Sequence, residues 1–111
     1  MITTHVLDTA LGRPARAVPI QLAFREPDGT WRELGAGETD ADGRLRTLTP
    51  AGDVDAGTYR ITFDTAAYFA THAVAGFFPV VEIQFIVRDG SAHHHVPLLL
   101  SPFGYSTYRG S

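Results

Sequence analysis

Hydrophobic and polar positions alternate along this chain in short runs, each cut off by Gly, Pro or Asp. Ile2 to Leu7 is rich in β-branched residues and ends in the turn-forming stretch Asp8-Thr9-Ala10-Leu11-Gly12-Arg13-Pro14. Val18, Ile20, Leu22 and Phe24 fall on alternate positions, so they share one face of a strand. Pro27-Asp28-Gly29 is turn chemistry, after which Trp31 to Leu34 returns as the next strand. Asp40-Ala41-Asp42-Gly43 is a second tight turn leading into Arg44 to Leu48, and Tyr59, Ile61 and Phe63 alternate again. Thr65 to His72 breaks the period of two and is alanine-rich, which predicts one short helix capped by Asp64 or Thr65. Val81, Ile83, Phe85 and Val87 then share a strand face. Asp89-Gly90-Ser91 predicts a hairpin into His93 to Leu100, and Tyr105 to Tyr108 closes the chain. Seven or eight short strands with one helix predict an all-β fold of two packed sheets.

Composition narrows the function more than the fold. The 111 residues suit one domain with one core, spanning 1–111, and 44% hydrophobic with 19% charged residues is ordinary for a globular chain. There is no cysteine, which removes disulfides, thiol catalysis and Cys-based zinc sites. A formal charge of −3 and scattered arginines leave no basic footprint for nucleic acid. No apolar stretch reaches the ~20 residues that span a bilayer, and Met1 to His5 lacks the regions of a signal peptide. Arg109-Gly110-Ser111 is not a peroxisomal address, so the expected location is the cytoplasm.

Chemistry-bearing residues cluster at the two ends. His93-His94-His95 lies in a strand, whose period places His93 and His95 on one face and His94 on the other. His5 lies in the first strand, sharing a face with Thr3 and Leu7. Taken alone, His5 reads as a half-buried strand histidine, the triplet as a solvated or weakly metal-binding edge, and Arg44 as a surface arginine after an Asp-Gly turn. Arg46 shares the strand face of Arg44, and His72 after the helix reads as structural.

Gly12-Arg13-Pro14, Val18-Pro19-Ile20-Gln21-Leu22, Thr39 to Arg44 and Gly57-Thr58-Tyr59-Arg60 resemble many transthyretin-like and carboxypeptidase-regulatory-like sandwiches. THVLDTALGRPA at the start, FDTAAYF in the middle and HHHVPLLLSPFGYSTYRGS at the end are sharper. Together they resemble the 5-hydroxyisourate hydrolase family over nearly the whole chain. The final Tyr108-Arg109-Gly110-Ser111 separates those hydrolases from transthyretin, the hormone carrier. His94 departs from the tyrosine common at that position, on the face away from its neighbours.

The resemblance implies a transthyretin-like β-sandwich and hydrolysis of a purine-derived small molecule, 5-hydroxyisourate, to 2-oxo-4-hydroxy-4-carboxy-5-ureidoimidazoline in urate breakdown. It implies no metal or cofactor, and a homotetramer, a dimer of dimers, with sites at the dimer–dimer interface. It also implies that His5, Arg44 and His95 act catalytically, with Tyr108 and Ser111 binding substrate in the same polar site. The residue types suit the reaction: a histidine is a general base near neutral pH, and a guanidinium meets the negative charge that builds on a carbonyl oxygen. Which histidine is the base stays open. The alternative functions are a transthyretin-like carrier, whose channel would be lined with aliphatic walls, and a non-catalytic regulatory sandwich attached to something larger.

Overall fold

The computed structural model describes all 111 residues. Its strands are β1 (Ile2–Asp8), β2 (Arg13–Pro14), β3 (Pro19–Arg25), β4 (Trp31–Glu38), β5 (Arg44–Leu45), β6 (Gly57–Phe63), β7 (Val81–Val87), β8 (His94–Ser101) and β9 (Gly104–Thr107), with α1 (Thr65–Thr71) between β6 and β7. They form two sheets. One has the order β2-β1-β8-β9, with β5 also pairing β1, and the other has the order β4-β3-β6-β7. This is the expected all-β sandwich with one helix, its seven longer strands joined by two short pairings, β2 and β5.

The alternation sets the core. Val6, Leu98 and Leu100 from the first sheet meet Ile20, Leu22, Ile61, Phe63 and Val81 from the second, all almost completely buried. Inward apolar residues at every second position are what two face-packed sheets require. On β7 the expected face is the one buried: Val81, Ile83 and Val87 are inside, while Glu82, Gln84 and Ile86 are exposed.

Three expectations are corrected. Asp89-Gly90-Ser91 does not close a hairpin: β7 pairs only β6 in one sheet, whereas β8 pairs β1 and β9 in the other. The turn therefore carries the chain from sheet to sheet, and local turn chemistry does not distinguish the two cases. The strand expected over Arg44 to Leu48 is regular only at Arg44–Leu45, because β1 offers β5 just two partners, Thr4 and His5. The strand expected over Trp31 to Leu34 runs on to Glu38, held along its length by β3 despite the poor strand formers Gly35, Ala36 and Gly37. A bulge between Leu22 and Ala23 takes up the register shift.

The helix is capped as expected, Asp64 accepting from the Ala67 amide at 3.0 Å. It is tied to the opposite sheet by one polar contact. The Tyr68 hydroxyl donates to Asp8 Oδ2 at 2.7 Å, and Asp8 Oδ1 accepts from the amides of Ala10 and Leu11, each at 3.0 Å. Both residues are buried. Burial, and then the neighbouring carboxylate, pushes the phenol well above its ordinary range, so it stays a donor. Tyr68→Phe is expected to lower unfolding free energy by about 1.5–3 kcal/mol, the range for a hydrogen bond to a charged group. Urea denaturation with an unchanged m-value checks this; a loss below ~0.5 kcal/mol would mean that the bond contributes no more than an ordinary surface contact.

Candidate functional site

The two ends of the chain meet at one end of the inner strands of the first sheet. Strands β1 and β8 run parallel in a register that sets Thr3 beside His95 and His5 beside Pro97. Residues paired this way point to the same side of a sheet, so the outward faces of β1 and β8 bring Thr3, His5 and His95 together. The His5 and His95 ring centroids are 6.3 Å apart, and the His93 ring lies 6.3 Å from that of His95. His94 faces inward, 5% exposed, its Nδ1 2.9 Å from the Ala92 carbonyl oxygen. The alternation along the triplet is the one the strand period demands.

Arg44 arrives through the turn before β5. Asp40 Oδ1 accepts from the amides of Asp42 at 2.8 Å and Arg44 at 3.0 Å, an Asx arrangement that folds the loop on itself. Gly43 has φ +74°, and a Cβ there would lie 2.4 Å from the Val6 carbonyl oxygen, so only glycine lets the turn approach β1. The Val6 amide then bonds the Gly43 carbonyl at 2.7 Å, and Arg44 pairs with His5. Arg46 follows, its guanidinium 3.7 Å from Asp40.

The tail closes the site. The Gly110 amide donates to the His95 carbonyl at 2.8 Å, and a Cβ on Gly110 would lie 2.6 Å from His95 Cδ2. A side chain there would push the imidazole aside. The result is a small pocket of about 150 Å³ lined by Met1, Thr3, Thr4, Arg44, Arg46, His93, His95 and Ser111, with His5 beside it. Tyr108 is placed differently. With Thr107 and Arg109 it lines a second cavity of about 480 Å³ against Ile83, Phe85 and Ile86 of β7, and His95 lines this cavity as well as the small pocket. Within one chain the structure thus brings together His5, Arg44, His95 and Ser111, and sets Tyr108 in the adjoining cavity that His95 also lines. No three His, Cys, Asp or Glu side chains converge at metal-ligand spacing.

The electrostatics favour neutral imidazoles. Burial lowers the pKa of His95 below the ordinary value, and Arg44, His5 and His93 lower it further. His5 is lowered by burial and then by Arg44, with the Asp42 backbone and the Asp40 carboxylate acting in the opposite direction. Both rings therefore hold an available lone pair at neutral pH. A depressed pKa means that the unfolded chain binds more protons in this range, so stability falls on acidification. The contribution is complete above ~6.5, the unfolded value, and is lost as pH drops through the lower folded values. NMR titration of the Cε1–H resonances is expected to give midpoints below ~6.5 for both rings; a midpoint above it for either would contradict this electrostatic picture.

The sequence reading missed Thr3, whose hydroxyl lies 2.7 Å from both His93 Nε2 and His95 Nδ1. Its only signal was its shared strand face with His5.

Against known proteins, residues 2–110 match the model of a family described as Transthyretin: HIUase/Transthyretin family. The chain belongs to that family. Its curated relatives include the 5-hydroxyisourate hydrolases of Salmonella typhimurium, 41% identical over all of this chain and 81% of that protein, and of mouse, 43% identical over 99% of this chain and 94% of that protein. The hydrolase of Deinococcus radiodurans is 45% identical over 99% of this chain and 95% of its own length. Among solved structures, sea bream transthyretin in complex with thyroxine superposes with a TM-score of 0.92 at 34% identity, covering 98% of this chain and 93% of that one. Klebsiella pneumoniae 5-hydroxyisourate hydrolase superposes at 0.87 with 35% identity, covering 99% and 97%. Backbone similarity thus spans both branches of the family, while the full-length relatives at 41–45% identity are hydrolases. This chain is a hydrolase of the family.

Proposed function

We propose that this enzyme opens the ring of 5-hydroxyisourate by adding water across a C–N bond, yielding 2-oxo-4-hydroxy-4-carboxy-5-ureidoimidazoline. The observation that carries the reading is the meeting of His95, with His5 beside it, and the Arg44 guanidinium at one cleft, both imidazoles having lowered pKa. Water is a weak nucleophile, and a positioned base raises its reactivity roughly 10²–10⁴-fold. His5 or His95 takes the proton, and the other orients the water or the substrate. Arg44 meets the negative charge developing on the carbonyl oxygen, a role for which a permanently charged donor is suited. Ser111 supplies a hydrogen bond to the substrate edge.

The cleft of one chain, about 150 Å³, is smaller than the ~300–1,000 Å³ of ordinary ligand pockets, which supports completion by a second copy. Strands β7 and β9 are open sheet edges, with Ile86, Tyr105 and Tyr108 exposed along and just beyond them. Such edges invite pairing, and we read them as the contacts of a dimer that pairs again into the homotetramer, with sites at the dimer–dimer interface. In that assembly Tyr108 binds substrate from the cavity that it shares with His95. No helix of the chain is long and apolar enough to cross a membrane; we assign the enzyme to the cytoplasm.

The carrier reading rests on the close superposition with thyroxine-bound transthyretin. Arginines and histidines give this cleft a polar lining, unlike a site for apolar ligands. The deciding experiment generates 5-hydroxyisourate from urate and follows its ultraviolet absorbance with micromolar protein. Loss well above the spontaneous rate is expected. A spontaneous rate accompanied by tight thyroxine binding would replace the hydrolase reading with the carrier.

A further inference from the structure

We propose that Thr3 and His93 are positioning residues that set the tautomer of His95, keeping its Nε2 unprotonated toward the cleft. The kinetic consequence rests on the hydrolase reading above; the tautomer itself does not.

Thr3 is 3% exposed and sits beside His95 in the β1–β8 register. Its Oγ1 lies 2.7 Å from His93 Nε2 and 2.7 Å from His95 Nδ1. A hydroxyl has one hydrogen and two lone pairs; this buried one has no third partner for its hydrogen, so satisfying that hydrogen means donating to one ring nitrogen and accepting from the other. Two arrangements follow. In the first, His95 Nδ1–H donates to Thr3, Thr3 donates to His93 Nε2, and His95 Nε2 carries a free lone pair. In the second every donor is reversed, and the hydrogen of His95 sits on Nε2. The tautomers of the two histidines are therefore locked together through one buried oxygen.

The surroundings choose between them. His5 faces His95 from β1, Arg44 from β5, Arg46 from the segment after it, His93 from the segment before β8, and Ser111 from the tail. The Asp40 carboxylate, which acts on His5, lies 3.7 Å from the Arg46 guanidinium. A lone pair is a better neighbour than an N–H for two guanidinium groups, so the first arrangement is the stable one. It is also the one a base requires. His93 is exposed, and its Nε2 holds the Thr3 hydrogen away from His95 in the first arrangement.

The test reads ring nitrogens directly, by two-bond ¹H–¹⁵N spectra of the histidines at neutral pH in the full chain, alongside kinetics. Wild type is expected to show His95 with hydrogen on Nδ1. Thr3→Val, which keeps the shape and removes the hydroxyl, is expected to shift His95 toward the Nε2–H form and to lower kcat roughly 10–100-fold with KM little changed. Thr3→Ser is expected to restore both. The proposal is overturned if wild-type His95 carries its hydrogen on Nε2, if Thr3→Val loses rate without a change of tautomer, or if folded Thr3→Ser fails to restore either readout. Because the spectrum needs no substrate, an inactive wild type would remove the hydrolase reading while leaving the tautomer result to stand or fall alone.

Discussion

Arg44→Ala is expected to lower kcat by about 10²–10³-fold, the loss typical of removing one donor to a developing oxyanion. The side chain has few structural duties. It is half-exposed, makes no salt bridge, and follows a turn held by Asp40 and Gly43 through backbone contacts that alanine preserves. Unfolding free energy is therefore expected to change little. A second signature separates a charge effect from a packing effect. Arg44 is the leading coulombic influence depressing both His5 and His95. Without it both imidazoles titrate higher, and the acid limb of the rate profile moves up toward ~6.5. Arg44→Lys keeps the charge but loses the fork geometry, so it is expected to hold the acid limb in place while recovering only part of kcat. Wild-type rates in Arg44→Ala would place the oxyanion donor elsewhere.

His95→Asn is expected to cost about 10²–10⁴-fold in kcat if this ring is the base. Asparagine can keep a hydrogen bond to Thr3 Oγ1 but cannot accept a proton from water, so the fold should survive and the chemistry should not. The acid limb attributable to His95 should vanish from the rate profile. His5→Asn made in parallel decides the division of labour. The base is the residue whose loss removes the acid limb, and the orienting residue is the one whose loss lowers the rate but leaves a limb behind. Equal, near-wild-type rates in both variants would contradict the assignment of this cleft.

What could be read from the sequence was whatever depends on local order. The alternation of Val81, Ile83 and Val87 fixed a buried face, Asp64 marked the start of the helix, and the period of two separated His94 from His93 and His95. What could not be read was pairing at a distance. Nothing in Ile2–Asp8 states that it pairs in parallel with His94–Ser101, yet that register alone sets His5 near His95. The same gap explains Asp89-Gly90-Ser91, whose turn chemistry is the same whether the next strand joins its own sheet or the other. Arg44 reached the site only on family resemblance, because the approach of its turn depends on Gly43 fitting under the Val6 carbonyl. Tyr108 and Ser111 stand three positions apart, and with Gly110 bonded to His95 they line different cavities that share His95 as a wall. Thr3 carried no distinctive signal, since a buried threonine on a strand is ordinary until its two imidazole partners are seen.

The most direct measurement is the structure of the assembled protein with a bound, non-hydrolysable purine analogue that inhibits turnover. The analogue is expected between subunits, with its ring oxygens toward Arg44 and its reactive edge facing His5 and His95 beside Ser111. An inhibitory analogue seated elsewhere, for instance in the cavity lined by Gln21, Thr62 and Asp64 with both imidazoles untouched, would contradict the account.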